Sequence, residues 1–140
     1  MADISWLTNH RLAAVVKNDF NWDFRFSADV NLRAECLWRL IEAGHIRFTS
    51  QDHGQLFGLK SPVDCVAEVN NRLAGSAVDS VAINEVTLDL SVTFQSGHIL
   101  QLIPESSGYE AWQLGGQGML VIAVGGGRLD VFRSSPESGG

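Results

Sequence analysis

Val86-Thr87-Leu88-Asp89-Leu90-Ser91-Val92-Thr93-Phe94 alternates apolar and polar residues without a break. A β-strand turns successive side chains to opposite faces, so Val86, Leu88, Leu90, Val92 and Phe94 read as one apolar face. Ser96-Gly97 follows as a hairpin turn signal, and Ile99 to Ile103 as the returning strand. The unit predicted from this stretch is an antiparallel hairpin, buried on one side.

The same rhythm extends outward. Upstream it predicts strands over Leu12 to Val16, Trp22 to Phe26, Asn31 to Ile41 (ending at Trp38-Arg39-Leu40) and His45 to Thr49, the last entered through Ala43-Gly44. Ser76 to Ile83, Tyr109 to Leu114, Met119 to Val124 and Leu129 to Phe132 complete the set. Gly115-Gly116 and Gly125-Gly126-Gly127 read as the hairpin turns between them. A faint internal echo places Phe24, Phe26 and Leu32 at the same spacing as Val92, Phe94 and Leu100.

One segment changes period. Ser61-Pro62-Val63-Asp64 reads as a helix start, with Ser as N-cap, Pro at the first helical position and Asp in the first turn. Val63, Val66, Ala67, Val69 and Leu73 follow at helical spacing up to Gly75, which predicts a helix over about residues 62–73. Strands, one helix, then more strands predict an α+β fold. The expected form is a mainly antiparallel β-sheet, able to curl into a half-barrel, with one helix packed on it. Residues 1–133 read as a single α+β domain, and 134–140, rich in Ser, Pro and Gly, as a flexible tail.

Composition narrows the function classes. With 140 residues and 45% hydrophobic content, one core is expected. The net charge is −6 and Lys17 and Lys60 are the only lysines, which argues against nucleic acid as a ligand. The apolar run Met119 to Val124 is far too short to span a bilayer, so no membrane partner is expected. The start, Met1-Ala2-Asp3-Ile4-Ser5-Trp6, lacks the pattern of a secretion signal, and a cytoplasmic location is expected. Cys36 and Cys65 have no Cys or His at metal-ligand spacing and read as small buried hydrophobes, and no cofactor or metal is expected.

Two polar stretches stand out as candidate sites. Asp52-His53-Gly54-Gln55 joins two apolar segments; an Asp-His pair can relay a proton, but neighbours on an extended chain diverge, and a turn fits better. Glu105-Ser106-Ser107-Gly108-Tyr109-Glu110-Ala111-Trp112 places aromatics beside carboxylates, a mixture suited to a contact surface. It contains no Gly-x-Ser-x-Gly nucleophile elbow. Gly115-Gly116-Gln117-Gly118 lacks the Lys-Ser/Thr pair of a phosphate loop, and the carboxylates follow neither a calcium-loop nor a zinc-helix pattern.

Trp38-Arg-Leu, Thr49-Ser-Gln-Asp-His-Gly-Gln, Phe57-Gly-Leu, Pro62-Val-Asp, Asp89-Leu-x-Val-x-Phe and Ser107-Gly-Tyr-Glu-Ala-Trp-Gln-Leu together resemble an uncharacterised bacterial domain family. The Ser-Gly-Tyr-Glu-x-Trp motif is the most specific of these, and the likeness runs from about Trp22 to Phe132. The resemblance implies an accessory protein without assigned catalytic residues, similar to candidate toxin-immunity proteins. On that reading the partner is a cognate toxin, met by Asp52, His53, Gln55, Tyr109, Glu110 and Trp112. The alternative is a small hydrolase or small-molecule-binding domain built on the Asp52/His53 and Tyr109/Glu110 loops.

Overall fold

The computed structural model describes residues 2–134, so most of the tail expected over 134–140 lies outside them. The chain runs β1 (Leu12–Lys17), β2 (Trp22–Phe26), β3 (Asn31–Ala34), β4 (Leu37–Glu42), β5 (His45–Thr49), α1 (Cys65–Leu73), β6 (Val78–Ile83) and β7 (Leu90–Phe94). It continues through β8 (Ile99–Ile103), β9 (Trp112–Gly116), β10 (Met119–Val124) and β11 (Arg128–Arg133). Short 3-10 turns occupy Ser5–Leu7 and Ser50–Asp52.

The strands form two sheets, ordered β1-β2-β3-β9-β10-β11 and β5-β4-β8-β7-β6. Every pairing is antiparallel, and neither sheet closes into a barrel. The apolar faces meet in an aromatic core: Trp22 and Phe24 of β2 meet Trp38 of β4 edge-on at 5.1 and 5.7 Å, and Phe26 stacks on Phe94 of β7 at 6.4 Å. Burying such rings is the main driving force for joining the layers.

The two halves of the chain repeat one pairing pattern. In β1–β2, Leu12 pairs with Phe26, the register slips once, and Ala14, Val15, Val16 and Lys17 then pair with Arg25, Phe24, Asp23 and Trp22. In β6–β7, Val78 pairs with Phe94, slips at the same place, and Ser80, Val81, Ala82 and Ile83 pair with Thr93, Val92, Ser91 and Leu90. The hairpins that follow, β2–β3 and β7–β8, also close alike, Phe26 N donating to Val30 O (2.7 Å) and Phe94 N to His98 O (2.9 Å). The echo of Phe24, Phe26 and Leu32 in Val92, Phe94 and Leu100 is thus carried by equivalent hairpins, one in each layer. Each half then crosses over, since β4 joins β8 and β9 joins β3. Helix α1 and strand β11 are additions outside this repeat.

Helix α1 begins later than its sequence signal. Asp64, not Ser61, is the N-cap, its Oδ1 accepting from Ala67 N at 3.1 Å. The reason is that Val63 is held extended, its N–H donating to Gln55 O and its carbonyl accepting from Gly54 N, both at 2.8 Å. Cys65, Val69 and Leu73 form the buried stripe. From the same helix, the Asn70 amide accepts from Val15 N (2.8 Å) and donates to Val15 O (3.2 Å), satisfying the backbone of β1 at the sheet edge.

Other boundaries also move. The predicted Asn31–Ile41 strand is two strands in different layers, because the chain crosses between sheets at Glu35-Cys36. The alternation that begins at Val86 becomes strand only at Leu90: the Asn84 side chain accepts from Val86 N and Thr87 N, and Leu88 N donates to Asn84 O, curling 84–89 into a turn. Gly115 and Gly116 sit inside β9, and Gln117-Gly118, with φ of 55° and 71°, makes the turn. Residues 109–111 precede β9 as loop.

Candidate functional site

Both candidate stretches attach to one end of the sandwich, around the crossing at Glu35 to Leu37. Trp38 N donates to Ser50 Oγ (3.2 Å), Leu37 N to Glu105 Oε1 (2.8 Å) and Glu35 N to Ala111 O (2.8 Å). The turn between β1 and β2 comes to the same place, with Phe20 lining a cleft beside Glu35, Cys36, Glu105, Tyr109 and Glu110.

The Asp52/His53 pair is spent on backbone. Asp52 Oδ2 accepts from Thr49 N at 2.9 Å, completing a capping box with the Thr49 side chain. His53 Nδ1 accepts from Cys65 N at 3.1 Å, so it serves one of the orphan donors at the start of α1 and carries its ring proton on Nε2. Its ring also packs edge-on to Trp22 at 5.3 Å. The two side chains share no hydrogen bond, and Gly54 takes φ +82°, as a turn requires. Gln55 is exposed, with its backbone tying the loop to Asp52 and Val63. An open cleft of about 700 Å³ lies beside this loop, lined by Phe48, Phe57, Leu59, Pro62 and Val63 among others. It is separate from the cleft of Tyr109 and Glu110.

The 105–112 loop is built to present two of its residues. Glu105 anchors it through Leu37 N, and Ser106 Oγ accepts from Gly108 N and Tyr109 N, each at 3.1 Å. The loop backbone lies directly on Gly125, where a Cβ would sit 2.5 Å from Ser107 O and 2.6 Å from Gly108 C. Only glycine permits that approach. Tyr109 then stands 81% exposed and Glu110 is exposed beside it.

Trp112 leaves the set of contact residues. It is 1% exposed, and its indole Nε1 donates to Leu88 O at 2.8 Å. The next alternate position of β9, Leu114, also faces inward, so the strand's apolar period carries Trp112 into the core. In the motif, Trp112 therefore seats the loop and Tyr109 and Glu110 point away from it.

Two exposed residues at this end went unrecognised in the sequence. Phe20 is 91% exposed in the β1–β2 turn, and Val86 is 82% exposed in the turn made by Asn84. An aromatic amid Asn18-Asp19 and Asn21 was a readable signal for Phe20; the unbroken alternation concealed Val86. The turn after β10 links Val86 to the loop, because Gly127 approaches Val86 O as Gly125 approaches Ser107. Asp19, Glu35, Glu85, Glu105 and Glu110 are exposed across these segments, giving this end acidic character.

The remaining chemistry is structural. Cys36 and Cys65 are buried, and burial pushes both thiols up to about 12, which keeps them protonated and unreactive. On the outer face of the six-stranded sheet, Asp23 takes a bidentate contact from Arg33 (2.9 and 3.1 Å) and further bonds from Asn31 and Asn18. The Arg33 hydrogen bond, aided by the two amides, holds its carboxyl at about 2 against the cost of burial. Among the described residues, no three His, Cys, Asp or Glu side chains gather as a metal site, and no helix is long and apolar enough to cross a membrane.

No curated protein and no solved structure matches the chain. The sequence model of a family of unknown function (DUF6188) matches residues 4–133, nearly the whole described fold, and the chain belongs to that family.

Proposed function

We propose that the protein is a non-catalytic binding module, an immunity-type protein that neutralises a cognate toxin through the loop end of the sandwich. The observation that carries this reading is the Tyr109–Glu110 loop. It is braced by Glu105, Ser106 and Gly125, yet it spends neither Tyr109 nor Glu110 on the fold. A preorganised loop loses little entropy on docking, and a solvent-facing Tyr beside carboxylates suits a hot spot. With Phe20 and Val86 it adds apolar contacts amid Asp19, Glu35, Glu85 and Glu110, so the partner's matching face is basic. The mode of action is occlusion of that basic face, and no catalytic step is assigned to this chain.

The binding reading is favoured over the hydrolase alternative because Asp52 and His53 each accept from a backbone N–H and share no hydrogen bond. The small-molecule alternative keeps one specific observation, the cleft between Phe48 and the Phe57–Leu59 loop. The test is a pull-down of the tagged protein from its host, with mass spectrometry and a salt series. One stoichiometric partner with a toxin domain and a basic face, released by salt, is the expected result. A monomeric protein with no partner would sink the binding reading and turn attention to metabolite screening of that cleft.

A further inference from the structure

The four edge strands of the two sheets are not alike. The β1 edge slips register between Leu12 and Ala14, and Asn70 occupies the backbone of Val15. The β6 edge slips between Val78 and Ser80, and Asn9 and His10 bond to the backbone of Val78. The β5 edge is short, and its pairing skips Arg47. Bulges and coverings of this kind are how proteins blunt an edge against further pairing.

β11 has neither device among the described residues. It pairs with β10 through six consecutive partners, from Met119↔Arg133 to Val124↔Arg128, without a slip. Ser134 N donates to Gly118 O at 2.8 Å, so Ser134, Phe132, Asp130 and Arg128 turn their backbone groups inward to β10. Those of Leu129, Val131 and Arg133 point outward, and none has a hydrogen-bond partner among the described residues. β11 is also the strand without a counterpart in the internal repeat, so its open edge is an addition.

We propose that β11 pairs with β11 of a second copy of the chain, antiparallel and two-fold, centred on Leu129. In that register each Leu129 faces the other with outward N–H and C=O groups, as a hydrogen-bonded pair requires. Arg128 of each copy comes opposite Asp130 of the other, on the outer face where both side chains already lie 3.1 Å apart within one copy. Two arginines and two carboxylates then alternate across the junction, and the strand is its own charge complement. A register centred on Asp130 instead sets the two carboxylates against each other. A junction this small gives a concentration-dependent dimer rather than an obligate one.

Sedimentation velocity on the full chain over a concentration series is expected to show a monomer–dimer equilibrium. Val131→Pro removes an outward N–H without touching the ladder to β10, and is expected to stay monomeric with an unchanged circular dichroism spectrum. Should that variant fail to fold, charge reversal reads the same register. Arg128→Glu is expected to weaken self-association about tenfold, and Arg128→Glu combined with Asp130→Arg to restore it. Wild type monomeric throughout, a folded V131P that still dimerises, or a double reversal without recovery overturns the proposal. A monomeric wild type whose V131P variant loses a captured protein partner also overturns it, and assigns the edge to a strand of that partner.

Discussion

Replacing Asp23 by Asn keeps the shape of a buried side chain and removes its charge. In the native protein that charge receives two bonds from Arg33 and one each from Asn31 and Asn18, with the residue only 3% exposed. Its pKa falls from 3.8 to about 2, the Arg33 bond being the largest cause. The unfolded chain therefore binds the proton more tightly, and the stabilisation is complete above about pH 4 and drains away as pH falls toward about 2. Nearly two pH units at about 1.4 kcal/mol each gives roughly 2 kcal/mol, toward the low side because Arg33 keeps about a third of its side chain in water. Urea unfolding at pH 6 and at pH 2 measures the loss in wild type and in Asp23→Asn. Wild type is expected to lose about 2 kcal/mol more than the variant over that interval. Equal losses would show that Asp23 is not held as described.

Trp112→Ala empties a core site and is expected to cost about 3–5 kcal/mol in a denaturant melt, whereas Tyr109→Ala, outside the core, should change stability by less than about 0.5 kcal/mol. Equal effects would mean that the division between seat and contact residue is wrong. Gly125→Ala drives a methyl into the backbone of Ser107 and Gly108, so faster hydrogen exchange over residues 105–110 is expected by mass spectrometry. An unchanged exchange pattern would show that Gly125 does not brace the loop. A thiol reagent at pH 8 should find neither Cys36 nor Cys65 in the native protein and both after denaturation; prompt native reaction would contradict their burial.

The strands were legible wherever one face alone is buried. Leu90, Val92 and Phe94 alternate because water lies on one side of β7 and the core on the other. The second sheet was not legible, because alternation reports a buried face without naming the layer that covers it. Nothing in Asn31 to Ile41 marks the crossing at Glu35-Cys36, where β3 and β4 part company. The helix was readable from its period, but its start was not, since Gln55 and Gly54 hold Val63 extended from a distance in sequence.

At the candidate site, the loop around Tyr109 and Glu110 stood out as aromatics among carboxylates, and the structure leaves both in solvent. The part played by His53 was hidden, because the Cys65 N–H it serves lies beyond an intervening loop. Trp112 was ambiguous for a related reason: a tryptophan beside an exposed tyrosine fits either face until the strand register is known. Val86 was hidden by the same ambiguity, seen from the solvent side, whereas Phe20, an aromatic among Asn18, Asp19 and Asn21, could have been read.

The decisive measurement is the affinity of the captured partner for wild type and for Glu110→Lys, by biolayer interferometry across a salt series. Reversing an exposed charge at the proposed contact is expected to weaken binding at least about tenfold and to flatten its salt dependence, while the melt stays unchanged. Wild-type affinity with the same salt dependence would contradict a contact surface at the Tyr109–Glu110 loop.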